Sequence, residues 1–172
     1  KSSPYFARFD FREAGSEREE KIYIGTRSLS DPETYEMYVY DWRAPIAGMY
    51  YDYGPGPASY EAPEGMVKGE MTLKRQFVIR GGKLFSAFDT GVTIGDEMLQ
   101  RILGQNADDK MKSIVTTIQR EQNRIIRETK RKYVFVQGAA GSGKTSAALQ
   151  RIAYLLYRYR NIWNSDQFIL FS

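Results

Sequence analysis

Gly138-Ala139-Ala140-Gly141-Ser142-Gly143-Lys144-Thr145 fits G-x-x-x-x-G-K-[ST] at every fixed position. No other stretch restricts the fold as much, because the string has meaning only where a strand runs into a helix. Glycines let the backbone curl so that successive amides turn inward and cradle phosphate oxygens. The helix that follows adds its positive end and its unpaired N–H groups. In this arrangement Lys144 reaches the β- and γ-phosphates and acts as the catalytic cation. Thr145 offers a hydroxyl to Mg²⁺, whose other ligands are phosphate oxygens and waters. The flanks agree with the motif. An apolar run at 133–136 precedes it, residues 144–160 carry Ala148, Ile152, Leu155 and Tyr159 on one side of a helix, and 168–171 is a second apolar run. The order is strand, loop, helix, strand: one right-handed βαβ unit with strands buried on both faces. The competing reading of the string is a glycine-rich helix start with a solvated lysine.

The first ninety residues have a different period. Residues 5–12 alternate apolar and mostly polar side chains, the pattern of a half-buried strand. Further strands are expected at 21–24, 35–42 and 49–53, rich in aromatic and β-branched residues, with a loop at 28–32. Gly54-Pro55-Gly56-Pro57 breaks the pattern. Strands at 71–80 and 83–88 flank Gly81-Gly82, a two-residue hairpin signal because both positions tolerate positive φ. The expected architecture is therefore α+β followed by α/β: an antiparallel β-rich region over 1–90, then the first part of a P-loop domain over 91–172.

Between these parts the periodicity is helical. A short helix is expected at 96–103, closed by Gly104. A longer one runs from Asp108-Asp109, whose charge suits a helix start, to about residue 129. Its stripe is Met111, Ile114, Ile118, Ile125 and Ile126, which puts Gln122 on the apolar side. A buried carboxamide without partners costs about 1–3 kcal/mol, so a partner is expected. Two fit: a nearby backbone group, or an adenine, whose N6–H and N7 match the oxygen and NH₂ of the side chain.

Composition narrows the chemistry. The chain has no cysteine and no histidine. Disulfides, thiol nucleophiles, serine–histidine triads and nearly all zinc sites are excluded together. The absence of cysteine fits the cytoplasm, and no apolar run is long enough to span a membrane. The polar opening Lys1–Pro4 leads straight into a strand pattern, unlike a secretory leader. It also lacks an initiating methionine, which reads as a piece of a longer protein. Residues 1–90 hold 12 Lys/Arg against 14 Asp/Glu, a net of −2; residues 91–172 hold 13 against 7, a net of +6. The basic part suits nucleotide or nucleic acid, although solvated helix faces account for such charge equally well.

Hydrolysis also needs an acidic strand end to hold the metal and orient water. Nothing after Thr145 supplies one. Asp96-Glu97 precedes the loop and reads as a helix start, and Asp41 pairs more naturally with Arg43 to pin the Trp42 loop. The piece by itself is therefore expected to be nearly inactive.

The loop and its helix, continuing Ala147-Ala148-Leu149-Gln150-Arg151-Ile152-Ala153-Tyr154-Leu155-Leu156, resemble superfamily 1 helicases of the Rep/UvrD kind. Ile118-Gln119-Arg120-Glu121-Gln122-Asn123 is similar to their Q motif. In the β-rich part, Tyr40-Asp41-Trp42-Arg43-Ala44-Pro45-Ile46, residues 52–60 and Gly69-Glu70-Met71-Thr72-Leu73-Lys74-Arg75-Gln76 resemble the HelD, helicase IV-like family. The resemblance implies a RecA-like first motor domain, cut short, that binds ATP and Mg²⁺. It implies that Gln122 reads adenine, and that DNA and RNA polymerase are partners, with ATP hydrolysis coupled to polymerase recycling.

Two other functions fit parts of the chain. An interaction module would dock the β-rich region on RNA polymerase while the loop only senses nucleotide. A small-molecule P-loop kinase would need an arginine-rich lid after the second strand, and the Gln122 helix counts against it. The tyrosines of 23–53 resemble stacking platforms for single-stranded bases, but such residues more often pack strand faces. The cations Arg120, Arg124, Arg127, Lys130, Arg131 and Lys132 fit either a polyanion or a solvated helix end.

Overall fold

The computed structural model describes residues 3–89 and 120–169. They fall into two compact units, residues 3–89 in one and 120–169 in the other. The domain boundary expected at 90/91, the helix at 96–103 and the first part of the long helix lie outside the described residues.

The first unit is a seven-stranded sheet. Strands β1 (Ala7–Glu13) and β2 (Glu19–Gly25) form a hairpin, and β3 (Leu29–Ser30) and β4 (Met37–Asp41) follow. Then come β5 (Gly56–Ala62), β6 (Gly65–Arg80) and β7 (Lys83–Asp89), in the spatial order β3-β4-β2-β1-β6-β5 with β7 on β6. All pairs are antiparallel except β2 with β4. At 16 residues β6 is long enough for three partners: β1 on one edge, and β5 then β7 end to end on the other. The Gly81-Gly82 turn has positive φ at both residues, as the hairpin expectation required.

Ala7, Phe9 and Phe11 alternate onto one face, where they pack with Ile22, Ile24, Ala58 and Met71. That face is closed by a helix, α1 (Gly48–Asp52), which buries Met49 and Tyr50. The strand expected at 49–53 is thus corrected to a helix. Turns starting at Asp41 lead into it, with Ala44 N–H donating to Asp41 O, Ala47 N–H to Ala44 O and Tyr50 N–H to Ala47 O. Buried Ala44, Ala47 and Tyr50 recur every three residues, so a helical turn covers the sheet where alternation would expose half of them. Tertiary burial here outweighs the strand propensity of tyrosine.

Two further strands were not expected. β5 was hidden by the Gly-Pro break, yet Ala58, Tyr60 and Ala62 alternate with polar positions, and Pro57 is tolerated because β5 ends the sheet path. β3 lies within the expected loop. The opposite face of β1 carries charge. Arg8 forms a bidentate pair with Asp10 and lies over the Tyr23 ring at 5.6 Å, beside the Tyr5–Phe77 ring contact. Arg75 stands opposite Arg8 across the strands, and Asp89 engages it in the same way. Each like charge has its own carboxylate, which removes the penalty of placing them opposite each other.

Gly69 of β6 sits where β1 comes closest: a Cβ there would lie 2.2 Å from the Arg12 carbonyl oxygen and 2.6 Å from the Phe11 ring. Gly69→Ala is expected to destabilise the unit by about 1–3 kcal/mol through forced strand separation. Urea unfolding checks this, and an unchanged midpoint would contradict the close strand packing.

In the second unit residues 120–127 are helical (α2), ending before the expected 129, and α3 spans Lys144–Arg158. A 3-10 turn at Ser165–Gln167 follows. The βαβ expectation is not met among the described residues. Residues 133–136 are in no strand and Phe135 is 95% exposed; Phe168 and Ile169 are not in a strand either, and 170–171 lie outside the described residues. A doubly buried parallel strand exists only through neighbours on its edges and faces, and no described residue pairs with this run. The architecture described is mixed α and β, a large sheet with few helices. The buried side of α3 also differs from the expected stripe. It holds Ala147 and Tyr154 with half-buried Arg151, whereas Ala148 is exposed and Ile152, Leu155 and Tyr159 are half-buried.

Candidate functional site: the glycine loop at 138–145

Between residues 137 and 144 the chain curls tightly. Ser142 N–H donates to Ala139 O at 3.3 Å, and a Cβ on Gly138 would lie 2.7 Å from Ser142 Oγ. Gly143, the residue before α3, has φ of +83°, a left-handed conformation that a side chain would strain. The helix then begins at once, with Ala147 N–H donating to Gly143 O at 2.9 Å. Of the two fixed glycines in the motif, Gly143 is required by its left-handed backbone, while Gly138 is crowded by the Ser142 hydroxyl.

Lys144 turns back over the loop. Its Nζ donates to Gly138 O at 2.7 Å and Ala139 O at 2.6 Å. An ammonium has three donors, so two anchor it and one remains for a ligand. Thr145, one residue into α3, is exposed and its hydroxyl bonds to no described residue. Of this donor set, the Thr145 hydroxyl is the group that would serve as a magnesium ligand, with phosphate oxygens and water completing the shell. Among the described residues no cluster of three acidic groups exists to hold a metal by protein alone.

Gln122 reaches the same loop from α2, its Nε2 donating to Ser142 O at 3.2 Å. The structure therefore brings together Gln122 and the loop, residues twenty positions apart. Gln122 is half-buried at the flank of α2; the buried positions are Asn123 and Ile126. This corrects the expectation that Gln122 lies on the inward face, and the backbone partner is the Ser142 carbonyl. Ile118, part of the stripe behind that expectation, lies outside the described residues.

Two arginines hold α2 to α3: Arg151, for which no role was expected, and Arg127 of the basic cluster. Arg151 Nη1 donates to Ile125 O at 2.7 Å, satisfying a carbonyl at the α2 C-terminus, where a cation is also favoured. Arg127 donates to Asn123 Oδ1 at 3.0 Å and lies over the Tyr154 ring at 5.1 Å. The signal for Arg151 was its place in the Arg151-Ile152-Ala153 string. Of the basic cluster, Arg120, Arg124, Lys130, Arg131 and Lys132 are exposed, while Arg127 is engaged as described.

Other candidates resolve structurally. Asp41 is buried and takes both ends of the Arg43 guanidinium at 2.8 and 2.7 Å, the expected ion pair. Among the aromatics, Tyr50 is core and Tyr23 packs on Tyr5 at 4.9 Å. Asp96-Glu97 lies outside the described residues. Among the described residues no helix is long and apolar enough to cross a membrane.

Comparison with known proteins bears on the first unit. Residues 1–101 match the family described as DNA helicase IV HelD, N-terminal domain. No curated protein matches the chain. The matched residues cover the whole described sheet and end before the glycine loop, and they are more than half of the chain. The chain belongs to the HelD family of DNA helicase IV proteins.

Proposed function

We propose that the intact protein is a superfamily 1 motor ATPase of the HelD type, working in the cytoplasm, with ATP and Mg²⁺ held at Gly138–Thr145. The observation that carries the reading is the Lys144 ammonium, anchored by Gly138 O and Ala139 O with one donor left over, above a loop that opens directly into α3. Backbone N–H groups of the loop and the start of α3 hold phosphate. Lys144 offsets charge that develops on the transferred phosphoryl group. Thr145 would be one ligand of a bound Mg²⁺, which would supply positive charge against the phosphates. Gln122 faces the adenine edge. Residues 91–172 begin a RecA-like motor domain in this reading, and hydrolysis is coupled to remodelling of nucleic acid and RNA polymerase. Family membership supports the helicase part of the reading, and the basic excess of residues 91–172 supports a polyanionic partner.

Titration of the intact protein with a fluorescent ATP analogue and Mg²⁺ tests the site. Saturable binding that unlabelled ATP displaces is the expected result. A flat titration at millimolar nucleotide would remove the assignment.

A further inference from the structure

We propose that Gln122 controls phosphate affinity itself, independently of any base, by fixing the orientation of the Ser142–Gly143 peptide. This inference rests on the reading of the loop as a phosphate site. The Ser142 carbonyl that Gln122 holds belongs to the same planar unit as the Gly143 N–H. In a trans peptide these two groups point in opposite directions. Holding the carbonyl towards α2 therefore turns the N–H away from α2, where it donates to no described residue.

That peptide needs holding. Gly143 has φ of +83°, and glycine populates positive and negative φ about equally, so the 142–143 peptide has a flipped alternative at little cost. In the flipped form the carbonyl oxygen takes the place of the N–H and opposes an anion. The contact is also close: a Cβ at Gly143 would lie 2.9 Å from Gln122 Nε2, so the amide sits directly on this peptide. The carboxamide retains one Nε2 proton and its Oε1 after this bond, enough to meet an adenine edge as well. Gln122 is thus a positioning residue for phosphate as well as a contact for the base.

Inorganic tripolyphosphate, which has no base, separates the two roles. Its affinity, with those of ATP and GTP, is measured on the intact protein, on Gln122→Ala and on Gln122→Met. Methionine keeps side-chain volume without charge or donor, and circular dichroism establishes that each variant is folded. Both variants are expected to bind tripolyphosphate roughly fivefold more weakly, the factor one ordinary net hydrogen bond is worth. Unchanged tripolyphosphate affinity with reduced ATP-over-GTP preference would overturn the proposal and leave Gln122 a base reader alone. Failure of the unmodified protein to bind tripolyphosphate or ATP would instead overturn the phosphate site on which the proposal rests.

Discussion

Lys144→Ala in the intact protein is expected to lower ATP turnover by at least about 100-fold, the usual loss when one preorganised transition-state donor is removed. The geometry makes the change local. Lys144 Nζ bonds only loop carbonyls, and both Gly138 and Ala139 are exposed, so water replaces the lost donors. Stability should fall by little, because no buried group loses its partner. The loop curl also persists, since the Ser142-to-Ala139 bond and the glycine conformations do not involve the lysine side chain. Steady-state phosphate release together with a thermal melt separates the two quantities. Turnover within a few-fold of the unmodified protein would refute the catalytic assignment. A large drop in melting temperature would make Lys144 a structural strut of the loop.

The largest stability effect is expected at Phe9. It is fully buried in β1, between β2 and β6, opposite Ile22 on one side and Lys74 on the other. Met49 and Tyr50 of α1 belong to the same core. Phe9→Ala leaves a cavity that backbone on both sides prevents from collapsing, at about 3–5 kcal/mol. Two tryptophans report on different units, Trp42 against the sheet core and Trp163 beyond α3. Urea unfolding in a Trp163→Phe background therefore follows the sheet through Trp42. A loss under about 1 kcal/mol would place Phe9 outside the centre of the core.

Much of the sheet was legible because its signals are local. The alternation of residues 5–12 is visible within one strand length, and Gly81-Gly82 carries its turn conformation in its own backbone freedom. The 138–145 string is legible for the same reason: its glycines answer to positive φ at Gly141 and Gly143 and to crowding by Ser142 at Gly138. Asp41 and Arg43 are two residues apart and met as expected.

What the sequence alone determined about this protein is therefore the alternating strands, the glycine turns, the curl of the glycine loop and the absence of cysteine and histidine chemistry. Tertiary structure alone decided the rest. Residues 48–52 have the composition of a strand, and they became α1 because an open sheet face needed Met49 and Tyr50 together. Residues 133–136 have the composition of a buried strand and form none among the described residues, because a strand needs hydrogen-bonded neighbours that composition cannot supply. Gln122 illustrates the same division. One helix alone placed it on the inward face; that it lies at the flank of α2, and that its amide holds the Ser142 carbonyl twenty residues away, are facts of packing. Local conformational preference acts over a few residues, and burial and pairing depend on partners distant in the chain.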